Sequence, residues 1–575
     1  MVAITLFILG VAPPLGLLRK KLGYSASALG SVAMIYTGIE LHTLGVVTIF
    51  YIAAGLAWLF SSIYSMSYDH YTWLAPLFSL SVFGMAIALT ASNFLAFLTG
   101  YEVMTIPAYV AVGLHRKTDY PAFLFMAFSE LSTLLVFAGF LYSYTLTWSF
   151  SFQPLAAAWP ALLCSLGFMI KMGILPFMVA EWLPIAHGNA PANMSSLMSA
   201  SMTLIAAYGL VKMILLSPGS TAFGYFLMGI GAFSVFFGAL YAYVSGHNKA
   251  LLGFSTIENS GAFLTLVGVF LTAPTHLLSM FALISAAVYI LAHTLSKTGL
   301  FLLAGMTESD PSSHSEKAVG SLSLSGAIVL TASMSGLLPT VGGVATWALL
   351  QSLFMEAYVL HSSLAVFPIV AGSVVAMGEG FAMSTMLKFV LFSGVFRKGG
   401  LRGVTRSVTV LAVGLTVLAA GSLIYLAYAP FLVSNTLGVY GIIASKFAGE
   451  PFGGVSPLYT LLLPLILAVL VFAFTGKPKT RRSEVWNGGT AIDDRYTPFA
   501  YSTNVRLMLG KVLFTRVRND AVEVSNASWL ILYRLSTLFA ILSKTLSRTY
   551  MNSRLGWYVV YMVAALIVVT LVVMI

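Results

Sequence analysis

The chain has 575 residues, of which 59% are hydrophobic and only 8% charged, with a mean hydropathy of +0.93. That is several times too little charge to cover a soluble protein of this size, so a soluble globular class is excluded. Nor does the net charge of +11 signal nucleic acid. The basic residues gather in short connectors (Arg19, Lys20, Lys21; His115, Arg116, Lys117; Arg397, Lys398, Arg402, Arg406; Lys477, Lys479, Arg481, Arg482), a positive-inside pattern that predicts those loops to be cytoplasmic in a prokaryotic cell membrane.

A membrane span needs ~20 apolar residues. Such runs fall at roughly 1–18, 27–66, 72–92, 94–113, 121–147, 155–179, 192–215, 221–245, 250–272, 277–305, 318–337, 341–360, 364–393, 407–433, 456–475 and 556–575. They predict an all-α polytopic membrane protein with about 14–16 transmembrane helices. The first run has no charge before it and no cleavage site, and reads as a span rather than a signal peptide. The second fits one long or two short spans. Cys164, the single cysteine, lies within an apolar run. A disulfide, an iron–sulfur cluster or a thiolate metal site needs more, so no cofactor is expected in this chain. After Gly476 the character changes to polar and then amphipathic. Residues 529–546 set Leu, Ile and Phe beside Arg534 and Lys544, which suits a helix lying on the membrane interface better than the alternative, a short span. The expected organisation is therefore N-terminal spans over 1–70, a core over 71–475, a polar and amphipathic segment over 476–555, and a final span over 556–575.

Two of the apolar runs carry a matched tetrapeptide, GILP at 173–176 and GLLP at 336–339. Pro176 and Pro339 would each break a helix inside its run, because proline frees a carbonyl four residues back. Matched broken helices in two halves point to an inverted repeat with an ion path at the breaks.

An ionisable group at mid-bilayer costs ~2.5–3.5 kcal/mol on insertion scales, so each needs a reason. The candidates are Glu102, Glu130, Lys171, Lys249, His293, Lys297 and Lys388. Lys249 is near a helix end and Lys388 near a basic loop, where a lysine can also snorkel; Glu130 can also serve as a partner to a neighbouring cation. Lys171, Glu102 and the pair His293 and Lys297, four apart on one helix face, lie deeper. Burial disfavours the charged form of lysine and glutamate alike, and an opposite charge nearby restores it. A buried Lys–Glu pair is thus a two-state object suited to passing protons. Lys171 precedes Pro176 by five residues, which would place it at the carbonyl end of a half-helix, where a cation is favoured.

Read together, KMGILPFMVAEWLPIAHGNAPANMSSLMSASM, YEVMTIPAYVAVGL, NKALLGFSTIENSG and AHTLSKTGLFLLAG resemble the antiporter-like membrane subunits of respiratory complex I, of Mrp cation/proton antiporters and of group 4 membrane-bound hydrogenases. The AHGNAP…SSLMS portion is similar to the large antiporter-like subunit of formate hydrogenlyase-type complexes, and EVWNGGT…RYTPFAYS to a tail of the hydrogenase branch. The resemblance runs from about residue 70 to 400 and again near 486–502. It implies two inverted five-helix repeats, each with one broken helix, joined by a polar axis. It also implies that Glu102 and Lys171 form the first half-channel pair, that His293 and Lys297 continue the axis, and that Lys388 corresponds to a late lysine of the second half. The chain departs from the pattern twice: Leu204 stands where the family has a lysine, and Thr346 where it has a charge after the second break. Glu356 is a candidate substitute.

The resemblance implies a proton- or sodium-translocating subunit of a redox-driven oxidoreductase such as a membrane-bound hydrogenase or complex I-like enzyme. Its partners would be other membrane subunits and peripheral iron–sulfur, hydrogenase-like or quinone-module subunits. Electron transfer would belong to those partners, because the chain shows no redox site or nucleotide loop of its own. The alternatives are a non-conducting structural subunit, which Leu204 and Thr346 favour, and an Mrp-type antiporter subunit.

Overall fold

The computed structural model describes residues 1–41, 45–68, 73–116, 119–174, 182–307, 321–392, 404–432, 447–449, 453–455, 501–511, 513, 515–518, 521–524, 534 and 536–545. Pro176, the runs 456–475 and 556–575 and most of the 476–555 segment lie outside them.

Helices dominate, as the apolar runs require. In chain order they are α1 (Val2–Leu18), α2 (Lys20–Glu40), α3 (Val47–Ser65), α4 (Leu74–Thr90), α5 (Phe94–Arg116), α6 (Asp119–Thr147), α7 (Trp159–Lys171), α8 (Trp182–Asn189) and α9 (Ala192–Ser196). A π-helical segment, Leu197–Met202, joins α9 to α10 (Thr203–Leu216). Then come α11 (Thr221–Val244), α12 (Asn248–Thr272), α13 (His276–Thr307), α14 (Ser321–Met334), α15 (Val341–Val359), α16 (Val366–Phe392) and α17 (Val404–Leu432). Among the described residues nine helices are long and apolar enough to cross a membrane, and shorter apolar helices join them. The 27–66 run resolves into two helices. Lys20 and Lys21, expected in a connector, open α2 instead, leaving Arg19 alone as the extended hinge. Two short antiparallel hairpins, Phe447–Gly449 with Gly453–Val455 and Thr515–Arg518 with Ala521–Val524, are the described strands. The chain divides into a unit of Met1–Thr503 and one of Asn504–Ile575. In the second, the helical residues 536–545 expose Leu538, Phe539, Ile541 and Leu542.

The helices pack in a repeating order. In the first half α4 packs on α5, α5 on α6 and α8, α6 on α7 and α8, and both α7 and α4 on α10. In the second half α11 packs on α12, α12 on α13 and α15, α13 on α14 and α15, and both α14 and α11 on α16. Replacing each helix of the first set by its counterpart reproduces the second set. Five spans per half is an odd number, so the second half enters the membrane from the opposite side and the repeat is inverted.

Three local features bear the repeat out. The first helix pair of each half crosses at glycine, as close packing in lipid requires: a Cβ on Gly84 would lie 2.3 Å from the Met104 nitrogen, and one on Gly231 2.6 Å from the Gly261 oxygen. Each broken helix stops at a glycine in the left-handed region, Gly173 at φ +73° and Gly336 at φ +68°, a conformation other residues enter at a cost. Pro339 falls between α14 and α15, with Thr340 capping α15 by accepting from the Gly343 amide at 3.2 Å. Last, a lysine on the fifth span of each half holds the end of its first helix. Lys212 on α10 donates to the Ala91 carbonyl after α4 at 3.0 Å, and Lys388 on α16 donates to the Tyr243 carbonyl of α11 at 2.6 Å and to that of Ser245. In the inverted arrangement these ties sit at opposite membrane faces.

Candidate ion-translocation site

The first cluster forms where α5, α6 and α7 meet. Lys171 is the last residue of α7, 1% exposed, at the end where unpaired helix carbonyls favour a cation. Its ammonium donates to Thr105 Oγ1 at 2.7 Å and lies 5.1 Å and 5.6 Å from the ring centroids of Tyr101 and Phe125, contacts that favour a positive charge where water is scarce. The carboxylates facing it are Glu102 and Glu130. Among the described residues no ion pair within 4.0 Å joins Lys171 to either. Glu102 instead accepts from Thr133 Oγ1 at 2.5 Å and is hydrogen-bonded to Glu130. Glu130 faces both that acid and the Lys171 ammonium.

The second cluster lies where α8 and the π segment meet α12 and α13. Lys249 is buried, not snorkelled; it donates to the Ala190 carbonyl, just past the end of α8, at 2.9 Å. Lys297, with no exposed surface, donates to the Leu252 carbonyl on α12 at 3.1 Å. His293 contacts the Ser199 carbonyl through Nε2 at 3.0 Å, and Thr294 donates to that of Ala200 at 3.1 Å. Both carbonyls belong to the π segment, whose wider turn leaves backbone oxygens open to side chains. Ser199 and Thr256 hydroxyls also meet, at 2.7 Å. Leu204 follows this segment, fully buried and without a polar atom to offer.

The sequence reading passed over His187 of α8. It is fully buried, its ring stacks 4.7 Å from Phe301, and Lys249, His293 and Lys297 surround it. Neither ring nitrogen has a hydrogen-bond partner among the described residues. The signal was present in the WLPIAHGN stretch, but a histidine beside glycine and asparagine reads as a turn residue until the half-helix is seen. Also passed over were Glu258 on α12, which faces Lys297, and Glu379 on α16. Thr346 sits at the second break, where a Cβ on Gly336 would lie 3.3 Å from its Cγ2. Glu356 is buried on α15 beside Thr272 and Tyr225, away from that break. Lys388 stands apart from both clusters, at the end of α11.

Buried lysines, carboxylates and histidines strung through two inverted, broken-helix repeats define an antiporter-like membrane subunit. Residues 91–382, just over half of the chain, match the family described as NADH:quinone oxidoreductase/Mrp antiporter, TM, and the chain belongs to that family. It is similar to hydrogenase-4 component B of Escherichia coli K12, 27% identical over 72% of this chain and 66% of that one, just under two thirds of the relative's length. It is also similar to formate hydrogenlyase subunit 3 of the same organism, 26% identical over 80% of this chain and 78% of the other. In fold it matches a chain of the membrane-bound sulfane sulfur reductase, an archaeal respiratory membrane complex, with a TM-score of 0.73 and 15% identity over 99% of both chains.

Proposed function

We propose that this chain is the proton-translocating membrane subunit of a multisubunit, redox-driven oxidoreductase of the hydrogenase or complex I-like kind. Glu102, Glu130 and Lys171 form its first proton-holding cluster, and Lys249, His187, His293 and Lys297 its central one. The observation that carries this reading is Lys171. It is buried at the carbonyl end of a broken helix, held by a hydroxyl and two rings rather than by a salt bridge. A lysine paired only with neutral groups, with two acids close by, is free to exchange its proton as those acids change charge. The π-segment carbonyls at Ser199 and Ala200 supply polar atoms where Leu204 supplies none.

Electron transfer then resides in partner subunits, and its coupling to this chain is electrostatic and conformational. The basic residues at the ends of α1 and α5 fall on one side by helix parity, and we place that side in the cytoplasm. Lys388 we assign to holding the end of α11.

The test is Lys171→Ala in the complex isolated with its native partners and reconstituted into liposomes. Electron-transfer-driven proton uptake should fall at least about tenfold, equivalent to ~1.4 kcal/mol or more, while the subunit composition stays unchanged. Undiminished pumping by an intact complex would favour the non-conducting structural reading instead, and sodium uptake insensitive to protonophores would change the ion.

A further inference from the structure

The second half has no charge at its break: Met334 ends α14 where Lys171 ends α7, and Thr346 follows. Three helices nevertheless bring ionisable groups to one depth. On α12, a Cβ on the α11 residue Gly238 would lie 2.6 Å from the Glu258 nitrogen. On α16, a Cβ on Gly378, next to Glu379, would lie 2.7 Å from Val235 of α11. Val235 and Gly238 are one turn apart, so the two glutamates share a level. Tyr289 of α13 is there too: its hydroxyl donates to Glu379 Oε1 at 3.4 Å, bonds Thr346, and faces Glu258.

Glu258 is 1% exposed and its Oε2 has no hydrogen-bond partner among the described residues. The charged groups around it are Glu379 and Lys297. α11 contributes no Asp, Glu, Lys, Arg or His, and α15 only Glu356, near the far end of α12. Two carboxylates against one ammonium leave an unbalanced negative charge in a low-dielectric interior, which is strongly disfavoured. One proton bound between them removes the imbalance.

We propose that Glu258 and Glu379 are the proton-binding pair of the second half, with Tyr289 as their hydroxyl donor and Lys297 as the group that exchanges protons with them. This rests on the proton-translocating reading and extends it. In the step itself the Lys297 ammonium gives up one proton and becomes an amine, and a carboxylate oxygen of the pair takes it and becomes a carboxylic acid. The pair thereby does the work for which Thr346 is unsuited. It also lies on a line across the membrane: from Lys249 to Thr272, beside Glu356, α12 rises about 35 Å, against a hydrocarbon core of about 30 Å.

The experiment is infrared difference spectroscopy of the purified complex, with Glu258→Gln and Glu379→Gln made separately. Wild type should show a carboxylic-acid carbonyl band that moves in heavy water and is missing from both variants, because the single acid left in each has no second carboxylate with which to share a proton. Proton uptake should fall at least tenfold in each. A band that persists in both variants overturns the pair. A band lost in both with uptake unchanged leaves the pair standing and defeats the translocation reading. Glu379 is the less buried of the two, so Glu379→Gln alone decides the matter if the Glu258 variant does not assemble; loss of the band supports the pair and retention refutes it.

Discussion

The two inverted halves place their charge differently. In the first, the lysine sits on the broken helix itself, at the end of α7, and two contacting acids, Glu102 and Glu130, stand on the neighbouring helices. In the second, the break is neutral, the lysine has moved to the unbroken α13, and the acids lie on α12 and α16. The first half thus holds one lysine facing two carboxyl groups, and the second one lysine facing Glu258, which in turn faces Glu379, each set spread over three helices of the same scaffold. Ion handling is set by which groups converge at mid-membrane, and the helix break is one of several ways to bring them there.

Substitutions can break or sharpen that comparison. The largest effect should come from Lys171→Ala beside Met334→Ala, its counterpart in the second half. The first should lower proton uptake of the reconstituted complex at least about tenfold, and the second should leave it within twofold. Comparable losses would show that the second break carries function without a charge. Thr105→Val removes the hydroxyl that holds Lys171 and leaves a buried donor unsatisfied, a cost of about 1–3 kcal/mol. It should lower uptake several-fold in a complex of unchanged composition, whereas Thr346→Val should also reduce uptake by freeing Tyr289. If only Thr105 matters, Tyr289 is not part of the second cluster.

Gly173→Ala and Gly336→Ala force a side chain into the left-handed region, at about 1–2 kcal/mol each, and each should lower the thermal unfolding temperature in detergent. Similar losses are expected at the two, because a Cβ would also meet Ile257 and Leu183 at 3.2 Å from Gly173 and Thr346 at 3.3 Å from Gly336. The smallest effect should come from Lys212→Met and Lys388→Met, which remove matched helix-end ties worth about 0.5–2 kcal/mol. Both should reduce stability by similar amounts and leave uptake near wild type. A loss of uptake without loss of stability in Lys388→Met would move that residue from fastening α11 to carrying protons.

Much of this arrangement was legible in the sequence for a physical reason. Lipid demands apolar helices, so composition alone exposes the spans, and the cost of burying charge makes Lys171, Glu102, His293 and Lys297 conspicuous. The paired GILP and GLLP located the breaks because few residues other than glycine and proline fit such turns. What the sequence withheld was convergence. Glu258 and Glu379 are 121 positions apart, and nothing local marks them as neighbours. Glu258 sits among Thr, Asn and Ser, where a carboxylate looks solvated. Nor does the sequence mark Lys388 and Lys212 as donors to the Tyr243 and Ala91 carbonyls, contacts that only the tertiary structure shows. The π segment has no sequence mark at all, since Leu197–Met202 has the composition of an ordinary span.

Cys164 packs without exposed surface against α6, its thiol 3.6 Å from the Val136 carbonyl, and a Cβ on Gly139 would lie only 2.4 Å from its sulfur. The chain's one thiol is therefore walled off from both aqueous compartments. To a bulky membrane-impermeant maleimide the natural protein should look like a cysteine-free one. Single cysteines placed beside Arg19, His115 or Ser220 can then report, one at a time and without first remaking the interior, which face of the membrane each connector meets.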